Sequence, residues 1–506
     1  MYYFLNESLP VNGSGIEHAE VKRLNLFKNF GVKAKIITRN FDRLAHSTLS
    51  LYGLKDSDYL NMFDYFAGTT HYRPRIVTVE SLKIPDIYTM NPVKDGYEVF
   101  DHERKVMRIY LFQNEKQLDS VEYFNADNHT TKQDFYDYRG FNSLTKFFDT
   151  ADGHLVYEQF HRPDGSNYYE VSYEKSPNNL VATNLQLINF NGADYSLMNM
   201  NQLFTMMLDD VNTIDGKEPS TFISDRSNIT NVPMIDMKTN AKKIEHFHSI
   251  HFRDYWDPMN SPLTYPSIKN NELLSRTDLV IVTSEQQKND MKKRLKTKVP
   301  IEAIPAGSIP NRLLKTKHID IGQREQGKII AVARLFYEKR LDDTIKAFNM
   351  AYQKNSNLTL DIYGYGDSRD NYKEEKMLKN LVNSLNLQSV VKFMGYTRNI
   401  DEVYNNAQLM IVSSRFEAGP LSIVEGQAHG VPAIAYNINY GPAYLINNHH
   451  SGLIVPDGDM NALASGITNY FNDQNQQIKM NEAAYENAKR FSQENVWKIW
   501  QKYVVK

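Results

Sequence analysis

A chain of 506 residues exceeds what one ordinary core holds and, at about 150 residues per domain, divides into two or three. Its 58 basic and 60 acidic residues nearly cancel to a formal charge of -2, which excludes the basic footprint of a nucleic-acid binder, so no nucleic-acid partner is expected. The absence of cysteine excludes a disulfide framework and every thiolate metal site.

The opening MYYFLNESLP lacks a charged region followed by an apolar one, and no uncharged apolar run approaches the roughly 18 residues that span a bilayer. The expectation is a cytoplasmic protein, with a peripheral contact at the inner face of the cell membrane still compatible.

In chain order, a strand is expected over Tyr2 to Leu5, then a loop NGSG, a helix from Ile16 to Phe30 and a strand KAKIIT. Asp56-Ser57-Asp58 has the D-x-D spacing of a metal motif, but it precedes YLNMFDYF and reads better as an aspartate N-cap for a helix there. Between roughly residues 90 and 200 the α/β alternation stops. Period-2 segments such as VMRIYLFQ and YYEVSYE, with RPDGSN as a turn, predict a β-rich insertion. Alternation resumes at FISDR and KKIEHFHSIHF, with a helix around Ile268 to Ser275 and a strand at LVIVTSEQQ.

From residue 316 onward the pattern is that of a complete doubly wound unit. The strands are KIIAVA, LTLDIYG, VVKFMGY, QLMIVSS and VPAIAY, with helices after Lys339, at MLKNLVNSLNL and at LSIVEGQAHG. The last segment, FSQENVWKIWQKYVV, places Trp497 and Trp500 on one helical face and is expected to pack on an α/β domain. The fold class is therefore α/β. The N-terminal domain comprises 1–60 and 211–315 and is completed by helix 480–506; 61–210 forms the β-rich insertion domain, and 316–479 the C-terminal domain.

The chemistry concentrates at residues 415 to 430, RFEAGPLSIVEGQAHG. The strand QLMIVSS should end at Ser413 or Ser414, which puts Glu417, Ala418, Gly419 and Pro420 at the carboxyl edge of the sheet, where open α/β sheets bind ligands. Pro420 suits the first helical position, Gly419 permits close approach, and first-turn amides such as that of Leu421 attract an anion. Glu425 lies one turn further on, suited to neutral hydroxyls such as those of a ribose. Glu417 is placed for hydroxyls of whatever the phosphate carries. Arg334 and Lys339 follow KIIAVA at the same edge and converge on the same anion.

R-x4-K after a strand, E-x7-E across a helix start, the glycine turn YGYGD containing Gly364, and MGYT together resemble the donor domain of glycosyltransferase family 4, retaining enzymes of the GT-B architecture. That resemblance implies two Rossmann-like domains facing a cleft, with the C-terminal one binding a nucleotide sugar. It also implies that Arg334 and Lys339 neutralise the leaving diphosphate, Glu425 holds the ribose, Glu417 contacts the transferred sugar, and the backbone at Gly395, Tyr396 and Thr397 meets uracil. NGSGIEHAEVKRLNLFKNFG, SDR at 224 to 226, HSIH at 248 to 251, TSEQQKND and IPAGS narrow it to bacterial protein O-glycosyltransferases: the accessory-Sec GtfA type, enzymes acting on serine-aspartate repeats, and the related wall teichoic acid α-glycosyltransferases. In those relatives the loop at Ser14 and Gly15 faces the diphosphate and His248 sits beside the donor sugar. Where the family carries E-G-x-G/S-L this chain has E-A-G-P-L, and Pro420 removes one backbone donor.

The resemblance implies transfer of GlcNAc or glucose from a UDP-sugar to serine or threonine hydroxyls of a serine-rich surface adhesin. No metal or other cofactor is expected, and the implied partner is a GtfB-like subunit or a second copy through the β insertion. A teichoic acid acceptor stays open, as does a non-catalytic GT-B partner subunit that recognises glycosylated adhesin, although such a partner need not keep both motif sets. HFHSIH has the look of a metal cluster but lacks an evident further ligand with its own second shell. A nucleotide-binding oxidoreductase is disfavoured because NGSG is a poor G-x-G-x-x-G.

Overall fold

The structure, a computed structural model, describes residues 1–113, 116–176, 179–214 and 219–505. The chain divides into two compact units, one of Met1–Val11 with Ala34–Lys242 and one of Asn12–Lys33 with Lys243–Lys506.

In the first unit, β1 (Tyr2–Asn6), β2 (Ala34–Thr38) and β3 (Tyr59–Asn61) run parallel, β1 lying between β2 and a later strand that returns from the insertion. The expected aspartate cap is not formed. Asp56–Asp58 is a 3-10 turn closed by Asp58 accepting the Lys55 amide at 3.0 Å, and Tyr59–Asn61 continues as strand. Asn61 is the residue that caps the helix Met62–Ala67, accepting from the Phe63 amide at 2.8 Å. An extended Tyr-Leu pair pairing with β2 outweighs the helical spacing of YLNMFDYF.

The insertion is a ten-stranded antiparallel meander: β4 (Thr89–Val93), β5 (Gly96–Asp101), β6 (Arg104–Leu111), β7 (Leu118–Phe124), β8 (Thr130–Asp137), β9 (Phe141–Phe148), β10 (Leu155–His161), β11 (Asn167–Lys175), β12 (Leu180–Phe190) and β13 (Ala193–Leu197), each beside its sequence neighbour. RPDGSN makes the expected turn, with Gly165 at φ 87° donating to the Arg162 carbonyl. The helix Met200–Ile214 then buries Leu203, Met207 and Val211 against Phe160, Tyr169 and Phe222, and β14 (Thr221–Ser224) returns beside β1.

In the second unit, the helix Gly15–Asn29 opens on a capping box: Ser14 caps it, and Glu17 accepts the Ser14 amide at 2.7 Å. The C-terminal helix Gln493–Tyr503 packs on it through Trp497 and Trp500, whose rings stand 5.2 and 5.4 Å edge-on to Phe27. β15 (Lys242–His246), β16 (Leu279–Val282) and β17 (Ile301–Ala303) are parallel. The helix expected from Ile268 to Ser275 is broken into Pro266–Lys269 and Asn271–Ser275, because Asn270 turns to cap the second through the Glu272 amide.

The remaining strands, β18 (Lys328–Val332), β19 (Thr359–Tyr363), β20 (Val391–Gly395), β21 (Leu409–Val412), β22 (Ala433–Asn437) and β23 (Gly452–Pro456), form a parallel sheet in the order β20-β19-β18-β21-β22-β23. Ile329 and Ala331 enter one buried layer and Ile330 the other, so both faces of the sheet are covered and the strands read as apolar runs. Among the described residues, no helix is long and apolar enough to cross a membrane.

Candidate active site

The order of the six-stranded sheet reverses between β18 and β21, and in such sheets the ligand crevice opens beyond the carboxyl ends of those two strands. Arg334 and Lys339 follow β18, and Glu417 follows β21, which ends at Val412, a residue or two earlier than the sequence suggested. Two serines at that end fix the opposing halves of the site. Ser413 Oγ donates to the Arg340 carbonyl at 2.8 Å, pinning the turn Tyr337–Lys339 that carries Lys339, while Ser414 Oγ donates to Glu417 Oε1 at 2.7 Å.

Lys339 Nζ lies 2.8 Å from Glu417 Oε1 and 3.6 Å from Glu338 Oε1. Arg334 meets the same Glu338 oxygen at 2.6 Å and Asp367 at 3.1 Å. The two cations therefore share one carboxylate, Glu338. Burial pulls the Lys339 ammonium down, but Glu417 and Glu338 outweigh it and hold its pKa above the ordinary lysine value. Asp367 is held down to about 2, first by its hydrogen bond with Arg369 and further by Arg334. Gly364 is required where it stands. At φ 150° its Cβ would lie 1.8 Å from the Ala333 carbonyl oxygen, so only glycine lets the loop leading to Arg334 pass.

The helix Leu421–Ala428 begins one residue later than expected, with Pro420 as its N-cap at φ -63° and Leu421 as the first helical residue. Ala418 is buried, and a Cβ at Gly419 would stand 3.2 Å from Thr283 Cβ. Glu425 falls in the second turn. Its Oε1 is 3.0 Å from Lys22 Nζ, and its Oε2 accepts from the Tyr404 hydroxyl at 3.1 Å. Beyond β20, Gly395 sits at φ 73°, Thr397 Oγ1 accepts from the Asn399 amide at 3.1 Å, and Tyr396 OH is 3.1 Å from His18 Nε2. Tyr365 OH donates to the Asn12 carbonyl at 3.1 Å, so the Ser14–Gly15 helix start lies against the β19 and β20 loops.

His248 is half-buried, its ring centroid 4.0 Å from that of His246, whose Nδ1 is 2.9 Å from Arg23 Nη1. The HSIH segment reaches Glu417 through Tyr440: Ile250 and Phe252 pack with Tyr440, which exchanges backbone hydrogen bonds with Glu417. Sequence reasoning missed His18 and Lys22, Glu338, Tyr404, Asp367 and the two serines. His18 and Lys22 had a usable signal, since i, i+4 spacing puts them on one face of the first helix.

Residues 316–490 match the family described as Glycosyl transferases group 1. The chain is a glycosyltransferase of the GT-B fold. It is 23% identical to the "UDP-N-acetylglucosamine--peptide N-acetylglucosaminyltransferase GtfA subunit" of Limosilactobacillus reuteri, over 99% of this chain and 98% of that protein. It is 22% identical to the poly(glycerol-phosphate) alpha-glucosyltransferase of Bacillus subtilis, over 99% of this chain and 74% of that one. The crystal structure of the pneumococcal O-GlcNAc transferase GtfA in complex with UDP and GlcNAc superposes with a TM-score of 0.83 at 18% identity, covering 99% of this chain and 97% of that one. The glycosyltransferase fold and type expected from R-x4-K and E-x7-E are thus found.

Proposed function

We propose that this glycosyltransferase moves N-acetylglucosamine or glucose, with retention, from a UDP-sugar to serine and threonine hydroxyls of a bacterial serine-rich surface protein. The observation that carries the reading is the Lys339–Glu417 pair at 2.8 Å, with Arg334 tied to Lys339 through Glu338, at the switch point of the group 1 domain. Breaking the bond between the anomeric carbon and the β-phosphate oxygen puts positive charge on the sugar and negative charge on the phosphate. Arg334, Lys339 and the first-turn amides of the helix at Leu421 stabilise that negative charge as preorganised donors. The acceptor oxygen attacks from the face the diphosphate leaves, and its proton passes to the departing phosphate oxygen. Glu417 and His248 orient the sugar, Glu425 accepts from the ribose, Ser14 and Gly15 face the diphosphate, and the backbone from Gly395 to Thr397 meets the base.

Because side chains supply the cationic charge, we assign no metal or other cofactor. Residues 1–60 and 211–315 serve the acceptor side. The insertion, 61–210, is the docking element for a partner subunit or a second copy, in line with the relative that is itself called a subunit. We place the enzyme in the cytoplasm, at the inner face of the membrane when it makes a peripheral contact. A second reading, transfer to a poly(glycerol phosphate) chain, is favoured by the whole-chain match to the Bacillus subtilis enzyme.

Incubating the purified protein with UDP-GlcNAc or UDP-glucose and either a serine-rich peptide or poly(glycerol phosphate), and measuring UDP release, tests both. Peptide-dependent release that survives EDTA is expected. Release only with poly(glycerol phosphate) selects the second reading, and no release with any pair removes both.

A further inference from the structure

The first helix brings a cation to a carboxylate that already has its own hydrogen-bond donor. Lys22 Nζ stands 3.0 Å from Glu425 Oε1 and Tyr404 OH 3.1 Å from Oε2, so one oxygen is held by a charge and the other by a hydroxyl. An ionised carboxylate offers about four lone-pair positions. With one taken on each oxygen, a position on each remains, the number needed to accept both hydroxyls of a vicinal diol.

The pair lies in the wall of a cleft whose lining includes Lys22, Gly307, Arg312, Asp401, Glu425 and His429. Gly307 makes room for the lysine stem: a Cβ there would be 3.3 Å from Lys22 Cδ and 2.7 Å from Leu421 Cδ2. One helical turn before Lys22, His18 meets Tyr396 OH at 3.1 Å. Burial lowers the His18 pKa against the opposing pull of Glu425 and Glu17, with Lys22 and Arg398 adding to the lowering. Of the two side chains, Lys22 is the one that lines the cleft.

Resting on the nucleotide-donor reading, we infer that Lys22 is a positioning residue that presets Glu425 to accept the ribose 2′- and 3′-hydroxyls of the donor. Without the ammonium, the Glu425 side chain loses its close cation, keeps the Tyr404 hydrogen bond and samples other rotamers, so the diol meets a less fixed acceptor. The effect is selective. It weakens recognition of the ribose and leaves the diphosphate contacts of Arg334 and Lys339 in place.

The test compares wild type, Lys22→Met, which keeps the apolar stem, and Lys22→Arg, using calorimetric binding of UDP and of 2′-deoxy-UDP alongside steady-state kinetics with the UDP-sugar. Lys22→Met is expected to raise the donor KM and the UDP Kd about tenfold, with kcat changed less than about threefold, because the diol then meets a carboxylate that is no longer held in place. Its affinity for 2′-deoxy-UDP, which keeps one of the two hydroxyls, should fall by less, so the preference for the ribo form shrinks, and Lys22→Arg should restore it. Unchanged or tighter UDP binding by Lys22→Met overturns the inference, making Lys22 a bystander or a competitor. Equal loss of UDP and 2′-deoxy-UDP also overturns it, by assigning Lys22 to the phosphates or to the fold. A folded wild-type protein that binds no UDP overturns the nucleotide-donor reading itself, and this inference with it; the failure is then in the wild type and not in the variant.

Discussion

Two clusters of charge, one in each compact unit, differ in what they have left to bind. In the first unit, Arg139 is 3% exposed. It forms a fork with Asp137, Nε to Oδ1 and Nη2 to Oδ2 both at 2.8 Å, donates to the Thr69 carbonyl at 2.9 Å and also meets Asp64. Asp64 in turn accepts from Thr69 Oγ1 at 2.8 Å and contacts His46 at 2.8 Å. In the second unit, Arg334 is 26% exposed, and Lys339, with three donors, has one close partner and a second carboxylate at 3.6 Å. A saturated, sealed cluster ties elements together. A part-exposed one with spare donors, at the point where a sheet's strand order reverses, is where the proposed function puts the diphosphate.

The largest expected effect breaks the sealed cluster. Arg139→Met leaves Asp137 buried without its cation and Asp64, part-buried, with His46 alone, and losing one partner of such a set costs about 3–5 kcal/mol. The urea midpoint should fall sharply, while the donor KM of the fraction that remains folded should hold. A variant as stable as wild type would mean that the cluster contributes nothing to the fold.

The converse variant is Lys339→Ala. On the proposed function it removes a donor to the leaving group and should lower kcat on the order of 10²–10³-fold, about 2.7–4 kcal/mol, with the melting temperature nearly unchanged. Near-wild-type turnover with labelled donor would end the parallel between Lys339 and an oxyanion donor. If Arg139→Met and Lys339→Ala each changed stability and rate alike, the distinction between the clusters would fail.

How much of this was legible beforehand follows from which signals are local. The six strands after residue 316 were readable because a strand covered on both faces leaves an unbroken apolar run, as in KIIAVA and QLMIVSS. Arg334, Lys339, Glu417 and Glu425 were readable because strand ends and helix starts fix where they lie. The partners were not. Lys22 reaches Glu425 across 403 positions of sequence, and no spacing rule spans that distance. Nothing in the local spacing singles out Glu338 beside Lys339. The boundary errors have local causes: Asn61 and Asn270, which cap helices in the structure, were passed over for Asp56 and for a continuous helix. Pro420, an N-cap here, was expected one position further into its helix.

A smaller effect sharpens the comparison within the site. Ser414 donates one hydrogen bond to Glu417, so Ser414→Ala should cost about 1 kcal/mol, roughly fivefold in kcat/KM, and leave stability as it was. A loss as large as that of Lys339→Ala would mean that Ser414 touches substrate and does more than orient the carboxylate.

The smallest expected effect is pH dependence, and it arises in the sealed cluster. Burial pulls His46 down, but the hydrogen bond and charge of Asp64, with help from Asp56, raise its pKa above 6.5. A folded-state value above the unfolded one gives stabilisation that is fully present below about 6.5 and is lost as pH rises through the raised value. Asp64 runs the other way. Despite burial, His46 and Arg139 lower it, so its contribution is lost only as pH falls through that lowered value. Between pH 6 and pH 9 the His46 contribution therefore declines while that of Asp64 stays constant. The urea midpoint followed by circular dichroism should drop more across this window in wild type than in His46→Gln, since other titrating groups cancel in the difference. Lys339, held above the ordinary lysine value, keeps its charge throughout the window, so the transfer rate should show no inflection from that group. An identical midpoint shift in both proteins would remove His46 from the sealed cluster's electrostatics and leave Arg139 as its sole cation among the groups considered.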